Sequence, residues 1–153
     1  MSPTSLSSRE TSAPAVVSDV PRVLTVNPFE EDRRSIRQIS DRERWQLCVS
    51  QTYREAIGEL CLTRMPVVLC ECHLPDGNWK DMLSQMAPMV DRPRLIVSSR
   101  QADERLWTEV LNMGGFDVLA TPFDEHEVVR VVAAAWLHWK RECEHQSALG
   151  GWA

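Results

Sequence analysis

The chain has 153 residues, 25% of them charged and 43% hydrophobic, which suits one water-soluble domain with a short appendage. Its net charge of −5 offers no electrostatic footprint for nucleic acid or for an anionic membrane surface. The longest apolar run, 128–137, is interrupted by Arg130 and is too short to span a bilayer.

The N-terminus has neither a basic start nor an apolar core, so no secretion signal is expected and the protein is read as cytoplasmic. Five cysteines, Cys48, Cys61, Cys70, Cys72 and Cys143, make an odd number, and several fall within apolar strand or helix patterns. They read as reduced thiols rather than a disulfide framework. Residues 1–20 are rich in Ser, Thr and Pro without apolar periodicity and are expected to form a disordered tail.

Order is expected from a β-rich run at 23–26, closed by Asn27-Pro28. A helix follows over 28–42, with Glu30, Glu31 and Asp32 in its first turn, where the helix dipole favours acids. Ile36 and Ile39 form its inner side. The stretch 45–50 alternates as a second strand, with Trp45, Leu47 and Val49 on one side. A second helix spans 52–62, with Tyr53, Ala56, Ile57 and Leu60 at helical spacing.

The third strand, 66–70, runs into Glu71 and then a loop carrying Leu74-Pro75-Asp76-Gly77. A short helix over 78–86 is stopped by Pro88. A fourth strand covers 94–98, and a helix over 103–113 ends at Gly114-Gly115. The fifth strand is 116–120. After Pro122, Asp124 caps a last helix reaching about residue 143, with Val128, Val132, Ala135 or Trp136, and Trp139 along its inner stripe. Residues 144–153 are expected to be a flexible tail, leaving 21–143 as the domain.

Five apolar strands alternating with five helices imply an α/β three-layer sandwich built of parallel β-α-β units, with right-handed crossovers. A carboxylate at the carboxyl end of a central strand, as at Glu71, faces the crevice where such sheets place ligands.

Three stretches then resemble the receiver domain of two-component response regulators: His73-Leu74-Pro75-Asp76-Gly77 after strand three, Leu95-Ile96-Val97-Ser98-Ser99, and Gly114-Gly115-Phe116-Asp117-Val118-Leu119-Ala120-Thr121-Pro122-Phe123. The resemblance implies the flavodoxin-like (βα)5 fold, a parallel five-stranded sheet of order 2-1-3-4-5. It also implies a cis peptide at Thr121-Pro122.

By that resemblance, an active member would carry two acids after strand one and an aspartate after strand three to hold Mg²⁺. A lysine after strand five would stabilise phosphoryl transfer to that aspartate, and a Ser or Thr after strand four would contact the phosphoryl group. Here the acid pair is Asn27 and Pro28, the acceptor position is Glu71, the lysine position is Thr121 and the aromatic switch position is Val118. Ser98 alone matches. The first helical turn is expected to aim Glu30, Glu31 and Asp32 away from this site.

No metal and no cofactor is therefore expected, and no catalytic residue. Glu71 reads either as a built-in mimic of a phosphorylated aspartate or as an acid left in a half-solvated crevice. Cys70, Cys72 and His73 lack a second ligand pair for zinc, and the two cysteines read as small buried thiols.

The expected function is that of a stand-alone, degenerate receiver in signal transduction, not an enzyme, acting by phosphorylation-independent protein contact. The partner would be a signalling kinase, a regulator or a second copy. It would bind the surface of the fourth helix, fifth strand and fifth helix, with Trp107, Val118, Trp136 and Trp139 as candidate anchors. Two alternatives stand beside it: a response regulator phosphorylated at Glu71 or Asp76, and a small-molecule sensor using the crevice.

Overall fold

The computed structural model describes residues 20–150. The Ser/Thr/Pro-rich segment before Val20 and Trp152 lie outside the described residues. The elements follow in order: β1 (Arg22–Val26), α1 (Glu30–Glu43), β2 (Gln46–Ser50), α2 (Tyr53–Leu62), β3 (Val67–Glu71), β4 (His73–Leu74), β5 (Gly77–Asn78), α3 (Trp79–Met86), β6 (Arg94–Ser99), α4 (Glu104–Asn112), β7 (Asp117–Ala120) and α5 (Glu125–Gly150).

The main sheet has five parallel strands in the order β2-β1-β3-β6-β7. Counting sheet strands alone, this is 2-1-3-4-5, the flavodoxin-like order expected from the sequence. β3 lies at its centre with all five residues buried, as a strand covered on both faces must be.

Alternation divides the core in two. Leu24, Val26, Val68, Cys70, Leu95 and Val97 face α2, α3 and α4. Val23, Val67, Leu69, Ile96 and Leu119 face α1 and α5, meeting Ile36, Ile39, Val128 and Val132. The same parity carries Asn27, Glu71, Ser98 and Thr121 toward the α1–α5 side at the carboxyl edge.

Local signals set most helix starts. Thr52 accepts the Glu55 N–H at 3.2 Å. Asn78 and Asp81 form a capping box on α3, each side chain accepting the other's backbone N–H at 3.0–3.1 Å. Asp103 caps α4 by accepting from Leu106 N at 2.9 Å. The peptide bond Thr121-Pro122 is cis.

Two features differ from the sequence reading. The Leu74–Gly77 loop is a small antiparallel hairpin, β4 with β5, because Pro75-Asp76 supplies a tight turn. The last helix continues past residue 143 to Gly150, through residues 144–149, which include no Gly or Pro; helix-breaking chemistry first arrives at Gly150-Gly151.

Gly114 ends α4 at φ +102°, where L side chains are strained. Gly115 is required for a different reason: a Cβ there would stand 2.5 Å from Val110 Cγ1 and 3.1 Å from its carbonyl oxygen. Val110 is fully buried and cannot retreat. Gly115→Ala is expected to cost about 1–3 kcal/mol by overpacking. Gly58→Ala, with nothing within 4 Å of the added carbon, is expected to stabilise α2 by about 0.5–1 kcal/mol. Urea unfolding of the two variants checks both signs.

Candidate functional site at the carboxyl edge of the sheet

The crevice lies above the carboxyl ends of β1, β3, β6 and β7. Asn27 leaves β1 with its side chain already committed. Its Oδ1 accepts the Phe29 N–H at 2.9 Å, and its Nδ2 donates to Asp32 Oδ2 at 3.3 Å. Phe29, the residue preceding α1, makes no capping bond of its own, so this Asn27 turn is what starts the helix. Pro28, between them, has no N–H to offer.

Glu71 closes β3 in register with Ser98 on β6. Its carboxylate is 6% exposed and accepts the Ser98 hydroxyl at 2.9 Å. Burial pushes its pKa above the ordinary glutamate value. The Ser98 hydrogen bond opposes that rise, the Asp32 charge adds to it, and the Arg100 charge opposes it. Thr121, after β7, is buried, and its hydroxyl has no hydrogen-bond partner. The expected site positions Asn27, Glu71, Ser98 and Thr121 are thus brought to one edge and one side of the sheet.

Two further residues join them. Asp32 is buried and turns into the crevice, not away from it as the first-turn geometry suggested. The reason is that α1 starts two residues after Pro28, at Glu30, which rotates Asp32 onto the inner face that carries Ile36 and Ile39. Arg100, the first residue after β6, lies over the Phe29 ring at 5.3 Å and bears electrostatically on Glu71. A cavity of about 290 Å³ is lined by Glu31, Asp32, Arg100, Thr121 and Pro122. A charged residue immediately after a strand-end Ser-Ser pair was the available signal for Arg100.

Asp76 lies outside the crevice. Its Oδ1 accepts the Tyr53 N–H at 2.7 Å and its Oδ2 the Arg54 N–H at 3.0 Å, so it caps the start of α2 from across the chain. Desolvation raises its pKa, but the backbone hydrogen bonds from Arg54 and Tyr53 outweigh that and leave it lowered. Asp76→Ala is expected to cost about 1 kcal/mol through loss of the cap, read as a lower thermal midpoint with the sheet signature unchanged.

Cys70 is buried with its thiol pKa pushed upward by burial first and the Glu71 charge second, and its Sγ donates to the Glu71 carbonyl at 3.2 Å. Cys72 is buried as well, while His73 is exposed. Among the described residues, no group of three or more His, Cys, Asp or Glu side chains could hold a metal ion. Among them, too, no helix is long and apolar enough to cross a membrane.

The expected partner surface forms only in part. Trp107 on α4 is 46% exposed and donates to Asp117 Oδ1 on β7 at 3.2 Å, which ties the two elements into one surface. Val118 and Trp136 are half-buried, with Lys140 over the Trp136 ring at 4.4 Å. Trp139 is not an anchor on this surface: it is 3% exposed, sits beneath Arg64 and donates to the Asp91 carbonyl at 3.0 Å. Its place on the inner stripe of α5, with the fully buried Ala135 one turn before it, explains the burial.

No family model matches the sequence, and no curated protein matches it. Solved structures do. The signal receiver domain of an HD domain-containing protein from Pseudomonas fluorescens Pf-5 is 21% identical, with a TM-score of 0.75 over 85% of this chain and 96% of that one. The signal receiver domain of a putative LuxO repressor protein from Vibrio parahaemolyticus is 21% identical, with a TM-score of 0.74 over 80% and 95%. A CheY-like response regulator receiver domain protein from Methanospirillum hungatei JF-1 is 17% identical, with a TM-score of 0.71 over 81% and 99%. The fold is therefore that of the response-regulator receiver domain.

Receiver chemistry implies Mg²⁺, and the residues here do not fit it. Mg²⁺ demands near-octahedral oxygen ligands and gives up water reluctantly. The Asn27 amide is consumed by Phe29 and Asp32, and the Glu71 carboxylate is tied to Ser98.

Proposed function

We propose that this protein is a receiver-fold signalling module of the two-component class that acts by binding a protein partner and carries no phosphoryl group. The observation that carries this reading is the state of the crevice. Asn27 serves α1, Glu71 is buried against Ser98, and Thr121 stands where a lysine would be needed. Without metal or lysine, Arg100 is the cation left to offset an incoming phosphoryl charge at Glu71, and losing even one stabilising group costs on the order of 100-fold or more in rate. On this reading the protein turns over no substrate.

Glu71 is also a poor stand-in for a phosphorylated aspartate, since one carboxylate bonded to Ser98 offers less charge and fewer acceptor oxygens than a phosphoryl group. It serves instead as a structural acid. Output passes through the α4–β7–α5 surface, where Trp107 offers an exposed aromatic of the kind that anchors interfaces. The partner is a signalling kinase, a regulator or a second copy, and the site of action is the cytoplasm.

The test is the intact mass of the protein after incubation with acetyl phosphate and Mg²⁺. No phosphoryl adduct is expected. A stoichiometric adduct mapping to Glu71 or Asp76 would replace this reading with that of a working phosphoacceptor.

A further inference from the structure

The cavity beside Thr121 contains groups of both charges that do not satisfy one another. Asp32 is 5% exposed, yet the one donor to its carboxylate among the described residues is Asn27 Nδ2, at a long 3.3 Å. Thr121 is 6% exposed and its hydroxyl has no partner. The Asp32 carboxylate, with that single long hydrogen bond, has capacity for a further donor. Glu31, exposed at the rim, adds a second carboxylate.

Arg100 lines the same cavity from the β6 side. Its guanidinium forms no ion pair or hydrogen bond with another described residue and rests over Phe29 instead. The cavity therefore presents carboxylates from α1 and an unpaired cation from the loop after β6. At about 290 Å³ it falls below the volume typical of sites for drug-sized ligands, about 300 Å³ and upward.

One-sided ligands fit poorly. A bare cation would meet Asp32 and Glu31 but be repelled by Arg100. Inorganic phosphate would meet Arg100 but be repelled by Asp32 and Glu31. A small molecule with an ammonium group next to a carboxylate meets both demands.

We propose that the cavity between α1, the loop after β6 and the Thr121-Pro122 segment binds a free α-amino acid. Its ammonium group donates to the Asp32 carboxylate, and its carboxylate pairs with Arg100. Arg100 is suited to this because its planar fork takes a carboxylate through two parallel N–H donors. The side chain of the amino acid points toward the open rim at Glu31 and Pro122. This site does not depend on the absence of phosphorylation, and its test is separate from the mass measurement.

The experiment is calorimetric titration and thermal melting of the full chain with each proteinogenic amino acid in turn. It includes N-acetylated and decarboxylated analogues, MgCl₂ and inorganic phosphate as probes. At least one amino acid is expected to bind saturably, while its N-acetylated and decarboxylated analogues do not. Arg100→Gln and Asp32→Asn are each expected to weaken that binding by about ten-fold or more. Arg100 is exposed, so its variant folds without difficulty; circular dichroism verifies the fold of the Asp32 variant. The proposal is overturned if no amino acid binds at millimolar concentration, if binding is indifferent to both variants, or if only Mg²⁺ or phosphate binds.

Discussion

Trp139→Ala is expected to destabilise the protein by about 3–5 kcal/mol, lowering the thermal midpoint by roughly 10 °C or more. The indole is buried where three separate segments meet. Its Nε1 donates to the Asp91 carbonyl at 3.0 Å, holding the segment between α3 and β6. Arg64, from the segment between α2 and β3, lies 4.9 Å over the ring. The same guanidinium pairs with the Asp91 carboxylate and reaches Cys143 Sγ at 3.6 Å.

Removing the indole leaves a cavity, orphans the Asp91 carbonyl and takes away the surface on which Arg64 is laid flat. Trp139→Phe separates these contributions. It retains most of the volume and the aromatic face, so the main loss is the hydrogen bond, at about 1 kcal/mol. Trp136→Ala, one turn earlier and half-buried, is expected to cost less than half as much as Trp139→Ala. Urea unfolding of the three variants orders them. A Trp136 variant as damaging as the Trp139 one would mean that the inner face of α5 is wrongly assigned.

Glu71→Gln is expected to stabilise the protein at neutral pH by roughly 1–2 kcal/mol, the scale on which a poorly compensated buried polar group costs stability. The carboxylate is buried, and burial is the largest cause of its raised pKa. A carboxyl with a higher pKa folded than unfolded binds more protons in the native state, so stability falls as pH rises through that interval. The interval begins at the ordinary glutamate value of 4.5 and extends upward to the folded value. Below it Glu71 is neutral in both states and imposes no penalty; above it the penalty is complete.

A glutamine amide at that position still accepts the Ser98 hydroxyl, so geometry is retained while the charge is removed. The wild-type protein therefore loses stability from this group as pH rises above 4.5, and the variant does not. Thermal melts of both proteins across that range give the difference curve directly. A variant less stable than wild type at neutral pH would show that Arg100 supports the Glu71 charge more than burial opposes it.

Much of the fold was legible from short-range patterns. The apolar runs at β1, β3 and β6, the helix starts near Thr52, Asn78 and Asp103, and the Gly114-Gly115 stop are local signals, and each recurs in the structure within a residue or two. The helix through residues 144–149 was also locally encoded by the absence of a breaker, but a fading apolar stripe after Cys143 hid it. The positions Asn27, Glu71, Ser98 and Thr121 could be placed together because the resemblance to receiver domains assigns them to the carboxyl ends of neighbouring strands.

What the residues at those positions do was not legible. Asn27 as the device that starts α1, Asp32 turned into the crevice, and Arg100 resting unpaired over Phe29 depend on how α1 and the loop after β6 seat against the sheet. Asp76 caps a helix that begins 23 residues earlier in the chain, and Trp139 is buried by a pairing of Arg64 with Asp91 across 27 residues. The sequence by itself determined the succession of strands and helices, because periodicity is a local property, and its resemblance to receiver domains marked which strand-end residues to compare. The tertiary structure alone decided which charges are buried, paired or left facing a cavity, because those outcomes depend on distances between segments far apart in the chain.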